Sequence, residues 1–239
     1  MGIGMWKSEQ GHTVNELLIA VAILSVLSAE AYNAFLSSAQ RLVRQNAIVE
    51  MQTDAQAAMD FMVRELRLAF GTPTITTTVT TNDTITFDRL EDAGYSSGGN
   101  TTTTLHDTRK TWPPGNFTTS YTVRIISGTG TGQARSISAN TSTRLTVASA
   151  WGTPPDSSSL YVITRKKAFT RTSISDNVLR YTASGSVNQP LADLITSHTF
   201  SQPDANTIGI TLTAQTRNVD PNTRQKHQYT LTETVLRRN

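Results

Sequence analysis

Neither proline nor glycine interrupts the chain between His12 and Phe70. The stretch is rich in Ala, Leu, Met, Gln, Glu and Arg, so it predicts one helix of about 59 residues, roughly 88 Å long at 1.5 Å per residue. Few globular folds house such a helix. Its halves call for different surroundings. Residues 12–36 are apolar on nearly every side, most densely from Leu17 to Leu27, as suits a transmembrane or assembly-core segment. Residues 37–70 read as amphipathic: Ile48, Met51, Ala55, Met59, Met62, Leu66 and Phe70 recur at three- and four-residue steps, while Arg44, Glu50, Asp54, Asp60, Arg64 and Arg67 fall mostly elsewhere. That stripe predicts ordinary packing against a globular head, and Asp60 and Arg64 have the spacing of a helical ion pair. Gly71-Thr72-Pro73 reads as the stop, a C-cap glycine followed by proline.

The head of the helix carries its oddest residue, Glu16. A carboxylate opening a membrane-spanning segment is costly, and such groups face a partner or a protein interior. Before it, residues Met1 to Gly11 form a short segment that ends on glycine. An ordinary secretory signal is cut after its apolar stretch, whereas here the clearest punctuation comes before it. Cleavage after Gly11 sets the new α-amino group of His12 about one turn from Glu16, so that one subunit's ammonium can neutralise another's carboxylate.

Gly11-His12-Thr13-Val14-Asn15-Glu16-Leu17 resembles the G-F-T-L-x-E-[LM] signature of type IV prepilins and type II secretion pseudopilins. The resemblance implies that a prepilin peptidase removes residues 1–11 as a leader, cuts between Gly11 and His12 and methylates the new His12 terminus, and that Glu16 guides assembly. His12 stands where phenylalanine is usual, and the leader is only weakly basic, Lys7 being offset by Glu9. Arg64-Glu65-Leu66-Arg67 and the closing Thr234-Val235-Leu236-Arg237-Arg238-Asn239 are similar to minor pilins of the PilW kind and, less closely, to pseudopilin J. The competing reading is a conventional signal peptide, with Leu17 to Leu27 as its apolar region and Ala29-Glu30-Ala31 as its cleavage site. Against it stand the acidic Glu16 and the poor basic flank.

After Pro73 the sequence reads as strand. Segments Thr74 to Thr80, Thr84 to Phe87, Tyr121 to Ile126, Ala134 to Ile137, Arg144 to Val147, Leu160 to Thr164, Val178 to Tyr181, Thr207 to Ala214 and Gln228 to Leu236 are β-branched or alternating and are bounded by turn-forming residues. The expected fold class is α+β, with an antiparallel β head, residues 71–100 and 165–239, laid on the amphipathic half of the helix. The pilin resemblance implies the same architecture. Residues 101–164 have a texture of their own and read as an inserted small β module. The chain is 239 residues long and 37% hydrophobic, enough for one core and such an accessory.

Little in the chain points to catalysis. It has no cysteine, and His12, His106, His198 and His227 are widely spaced, so neither thiol chemistry nor a zinc motif is supported. Gly128 to Gly132 lack the lysine and the following helix of a phosphate loop and read as a hairpin. Trp112, Tyr121, Trp151 and Tyr161 read as module core, with a sugar-binding face as the alternative. Asn218, Asp220 and Asn222 alternate like calcium ligands but read as a turn. Arg165-Lys166-Lys167 with Arg171, and Arg224 with Lys226, read as solvated strand ends. The net charge of +3 is far from that of a dedicated nucleic-acid binder.

The expected function is therefore that of a minor pilin, a non-enzymatic structural subunit, with no cofactor, that primes or caps a type IV pilus. Its partners are the prepilin peptidase, the inner membrane and other pilins. It starts as an inner-membrane precursor and ends in a periplasmic or extracellular filament. The alternatives are a type II secretion pseudopilin and a membrane-anchored adhesin that uses the central β module.

Overall fold

The computed structural model describes residues 13–79, 82–171, 177–184, 186, 188–220 and 223–237. Among them the chain forms helix α1 (Val14–Arg67) and twelve strands: β1 (Ala69–Val79), β2 (Asn82–Tyr95), β3 (Thr104–His106), β4 (Tyr121–Ser127), β5 (Ala134–Asn140), β6 (Arg144–Val147), β7 (Leu160–Thr170), β8 (Leu179–Ala183), β9 (Gln189–Ala192), β10 (Ile195–Ser201), β11 (Thr207–Gln215) and β12 (Gln228–Leu236). Two compact units result, one ending at Ile48 and one spanning Val49–Asn239.

The first unit is helical wherever it is described, from Val14 on. Its eight large apolar side chains between Leu17 and Leu27 are 56–64% exposed. Burying one such side chain is worth about 1.5–3 kcal/mol, so leaving this set in water forgoes on the order of 10 kcal/mol. The helix is long and apolar enough to cross a membrane. Ser25 and Ser37 suit such a segment because their hydroxyls donate back to the Ala22 carbonyl (2.7 Å) and the Asn33 carbonyl (2.6 Å).

In the second unit α1 turns one face inward, and Met51, Ala55, Ala58, Met59, Met62 and Leu66 are buried. Phe61 stands edge-on to Phe169 on β7 and to Tyr181 on β8, with ring centroids 6.2 and 5.0 Å away. The strands run in the order β12-β11-β10-β2-β7-β4-β5-β6-β3, with β1 on β2, and β8 and β9 beyond β7. Their pairings are antiparallel apart from one parallel bridge, His198 with Asn82, that joins β10 to β2. The fold is α+β, a long N-terminal helix packed on antiparallel strands.

The helix does not end as the sequence suggests. It stops at Arg67, closed by a tight bond from Leu68 N–H to the Glu65 carbonyl, 3.1 Å, and Ala69 and Phe70 already belong to β1. The Leu68 carbonyl accepts from Leu90 N–H at 2.8 Å, so the groups freed at the helix end pass directly into strand pairing rather than into a glycine cap. Gly71, at φ +68, instead lies in a break of register between Phe70 and Thr74, where an extra residue is accommodated as a bulge. The Arg237 guanidinium donates to its carbonyl.

The segment expected as an insert is continuous with a two-stranded ribbon. Strands β2 and β7 pair from Ile85 with Phe169 to Tyr95 with Leu160, with a shift of register between Leu90 and Asp92, and β7 itself runs through residues 164 and 165. At the far end of this ribbon Tyr161 and Ile163 enter a second core with Leu105, Ile125, Ile137 and Leu145. Gly94 is required there, because a Cβ would lie 2.6 Å from Asp107 Oδ2 and 2.8 Å from the Tyr161 hydroxyl.

Candidate functional site

Thr13 opens α1 as its N-cap. Its carbonyl accepts the first helical bond, from Leu17 N–H at 3.2 Å, and its hydroxyl accepts from Glu16 N–H at 3.3 Å. Glu16 reaches back, and its Oε2 accepts from Thr13 N–H at 2.9 Å. The pair is a reciprocal capping box that satisfies two of the donors a helix start leaves open. It also holds the carboxylate at the positive end of the helix dipole. Glu16 is thus supported within its own chain. The Thr-x-x-Glu spacing that announces this cap is visible in the sequence, where Glu16 drew notice only for its charge. Gly11 and His12, the expected cleavage pair and methylated terminus, lie outside the described residues.

The other candidates resolve into packing. Trp112, Trp151 and Tyr161 are buried in the second core, Trp112 standing edge-on to Phe117 and Tyr161. The segment Gly128 to Gly132 joins β4 to β5 as a hairpin. Gly128 takes φ +78, and a Cβ on it would lie 2.2 Å from the Ser158 carbonyl oxygen. Asp220 is buried, its backbone closes the turn with Arg224 and Gln225, and its Oδ2 lies 3.2 Å from His227 Nε2; Pro221 and Asn222 lie outside the described residues. Among the described residues no cluster of three or more His, Asp or Glu side chains is placed to hold a metal ion.

The basic run needs a correction. Arg165 lies over the Tyr121 ring at 5.1 Å and donates to the Ser184 carbonyl at 2.8 Å, and Arg171 donates to the Ile195 carbonyl at 2.9 Å. Lys167 is buried beside Tyr181, with Glu91 Oε1 3.9 Å from its ammonium. Burial pushes its pKa down, against the pull of the Glu91 and Glu65 carboxylates. Strand alternation turns Lys167 inward and leaves Lys166 exposed, so these residues are not all solvated strand ends.

Two polar clusters brace the second unit. Glu65 Oε2 accepts from the Tyr181 hydroxyl at 2.9 Å and lies 3.1 Å from Arg89 Nε; burial first, and then this carboxylate, raise the Tyr181 pKa. In the second core the Tyr161 hydroxyl donates to Asp107 Oδ2 at 2.8 Å, and Arg109 Nε meets Asp107 Oδ1 at 3.0 Å. Nearby Asp92 accepts from Lys110 Nζ and Trp112 Nε1, both at 2.6 Å. Burial raises the Asp92 pKa, but those two bonds, the bond from Ala93 N–H and the Lys110 charge together outweigh it and the net shift is downward.

No family model, curated protein or solved structure matches this chain.

Proposed function

We propose that the chain is a pilin-like filament subunit of the minor-pilin kind. It is held in the inner membrane by the apolar half of α1 and released into a filament once its leader is cut after Gly11. One observation carries this reading: the apolar, exposed first half of α1 opens on Glu16, a carboxylate already fixed at the helix start by Thr13. A simple anchor has no use for a fixed charge at that point, because a carboxylate in a bilayer is costly and needs a partner. In a filament the α-ammonium of a neighbouring His12 supplies one, and the apolar faces of adjacent helices replace lipid. The β head and its second core then form the outer surface. The second core's aromatic residues are spent on packing, which favours a structural role over sugar binding.

The test is the mature terminus, read by N-terminal sequencing and intact mass. A chain that begins at methylated His12 supports the reading. One that begins at Tyr32, just after Ala31, overturns it in favour of a conventional signal peptide.

A further inference from the structure

Glu16, Glu30, Arg41 and Arg44 are the charged residues between Thr13 and Ile48. At about 100° per residue all four fall within an arc of about 80° on α1. The stripe is ordered as well as narrow, with acids towards the helix start and bases towards its second half. Glu30 and Arg41 are exposed, and among the described residues neither side chain makes an ion pair or hydrogen bond. Glu30 stands about 24 Å along the helix from Val14, within the roughly 30 Å thickness of a bilayer core. A carboxylate there needs a partner.

We infer that this stripe is a register key for a second copy of the chain: Glu30 of one copy pairs with Arg41 of a parallel copy displaced along the helix axis by about 16 Å, the rise of the residues between them. Copies inserted in one membrane with the same topology are parallel, which removes the antiparallel pairing that would also match these charges. In parallel copies without displacement, Glu30 meets Glu30 and Arg41 meets Arg41, and like charges at one height repel. A displacement that brings Glu30 to Arg44 sets Glu16 of one copy against Glu30 of the next. The shift that brings Glu30 to Arg41 avoids both clashes and sets Glu16 beside Leu27 of that copy, so the α-ammonium that meets Glu16 belongs to a different neighbour in the filament. When the stripes face the common axis of a bundle, residues at one height meet, so the pair forms between neighbouring helices. A displaced contact of this kind does not close on itself, and its repetition builds a filament. As with other buried polar pairs in helical assemblies, its effect is to fix register rather than to add stability.

The inference rests on the filament reading and further requires two copies side by side. The chain has no cysteine, so introduced cysteines report cleanly. Ala34 and Gln45 lie on the same face with the same separation as the proposed pair and leave it intact. In sheared filaments, the double variant Ala34→Cys/Gln45→Cys oxidises to a ladder of oligomers, whereas neither single variant cross-links. Adding Glu30→Arg lowers ladder yield about tenfold or more, the effect of roughly 1.4 kcal/mol at the contact, and adding Arg41→Glu as well restores it. Filaments without a ladder, single variants that cross-link as well as the double, or a ladder indifferent to Glu30→Arg would each overturn the register key and leave the filament reading standing. Absence of filaments altogether would overturn that reading and this inference with it.

Discussion

The Tyr181 hydroxyl on β8 donates to Glu65 Oε2, 2.9 Å away near the end of α1. Arg89 on β2 meets the same oxygen at 3.1 Å, so one carboxylate ties the helix to two strands. Tyr181→Phe removes a single bond and is expected to lower stability by about 1–2 kcal/mol. Glu65→Ala also strips Arg89 of a carboxylate partner, and since Arg89 keeps Glu91 at 2.6 Å, the expected loss is about 2–3 kcal/mol. Urea unfolding of the detergent-solubilised chain measures both, and the order Glu65→Ala below Tyr181→Phe is the outcome to check.

The second core depends on a gap only glycine fits. Gly94→Ala places a methyl group against the Asp107–Tyr161 hydrogen bond and should cost about 1–3 kcal/mol. Tyr161→Phe leaves Asp107 buried with one donor fewer and should cost a similar amount. Both act on the same pair, so in the double variant the losses should add up to less than their sum. Thermal melts of the three variants provide the comparison.

His198 makes the fold sensitive to acid. Its ring is buried, and among the described residues neither ring nitrogen meets a hydrogen-bond partner in good geometry. It stands where β10 meets β2 through one bridge, near Asp83 and Arg171. Burial lowers its pKa from 6.5 to about 4; Asp83 opposes the shift and Arg171 adds to it. Between these values the unfolded chain holds more protons than the folded one, so stability falls as pH drops through 6.5 and the loss levels off below about 4. The full effect is about 3 kcal/mol. In His198→Leu the slope of unfolding free energy between pH 6.5 and 4 should largely vanish, and equal slopes for variant and wild type would contradict this.

The features that were legible in the sequence repeat with a period. The amphipathic half of α1 keeps its three- and four-residue steps, and Met51, Ala55, Met59, Met62 and Leu66 are buried. Strands β11 and β12 alternate openly. Strand β10 was missed because Ser197 and His198 interrupt its apolar alternation, although His198 is fully buried. The helix end was misplaced because Gly71-Thr72-Pro73 has the composition of a cap, while the pairing of Ala69 and Phe70 with Arg89 and Asp88 is a long-range choice that no local pattern records. The capping box has a local pattern, Thr13-Val14-Asn15-Glu16, that was passed over because Glu16 was read only for its charge, whereas the ribbon that carries the second core depends on strands more than sixty residues apart in sequence.

Glu16 has two tasks in this account, and Glu16→Gln separates them. Glutamine at this position still accepts from Thr13 N–H, so the cap and membrane insertion persist. It carries no charge for a neighbour's α-ammonium, and leaving such a group unpaired in a low-dielectric filament core costs roughly 3–5 kcal/mol. Thr13→Ala makes the converse change, weakening the cap by about 1 kcal/mol and keeping the charge. The deciding measurement is the ratio of sheared-filament to membrane-bound protein for wild type, Glu16→Gln and Thr13→Ala. The account predicts equal membrane levels throughout, a filament fraction reduced about a hundredfold or more in Glu16→Gln, and a filament fraction near wild type in Thr13→Ala. Wild-type filament recovery for Glu16→Gln would contradict it, reducing Glu16 to a helix cap.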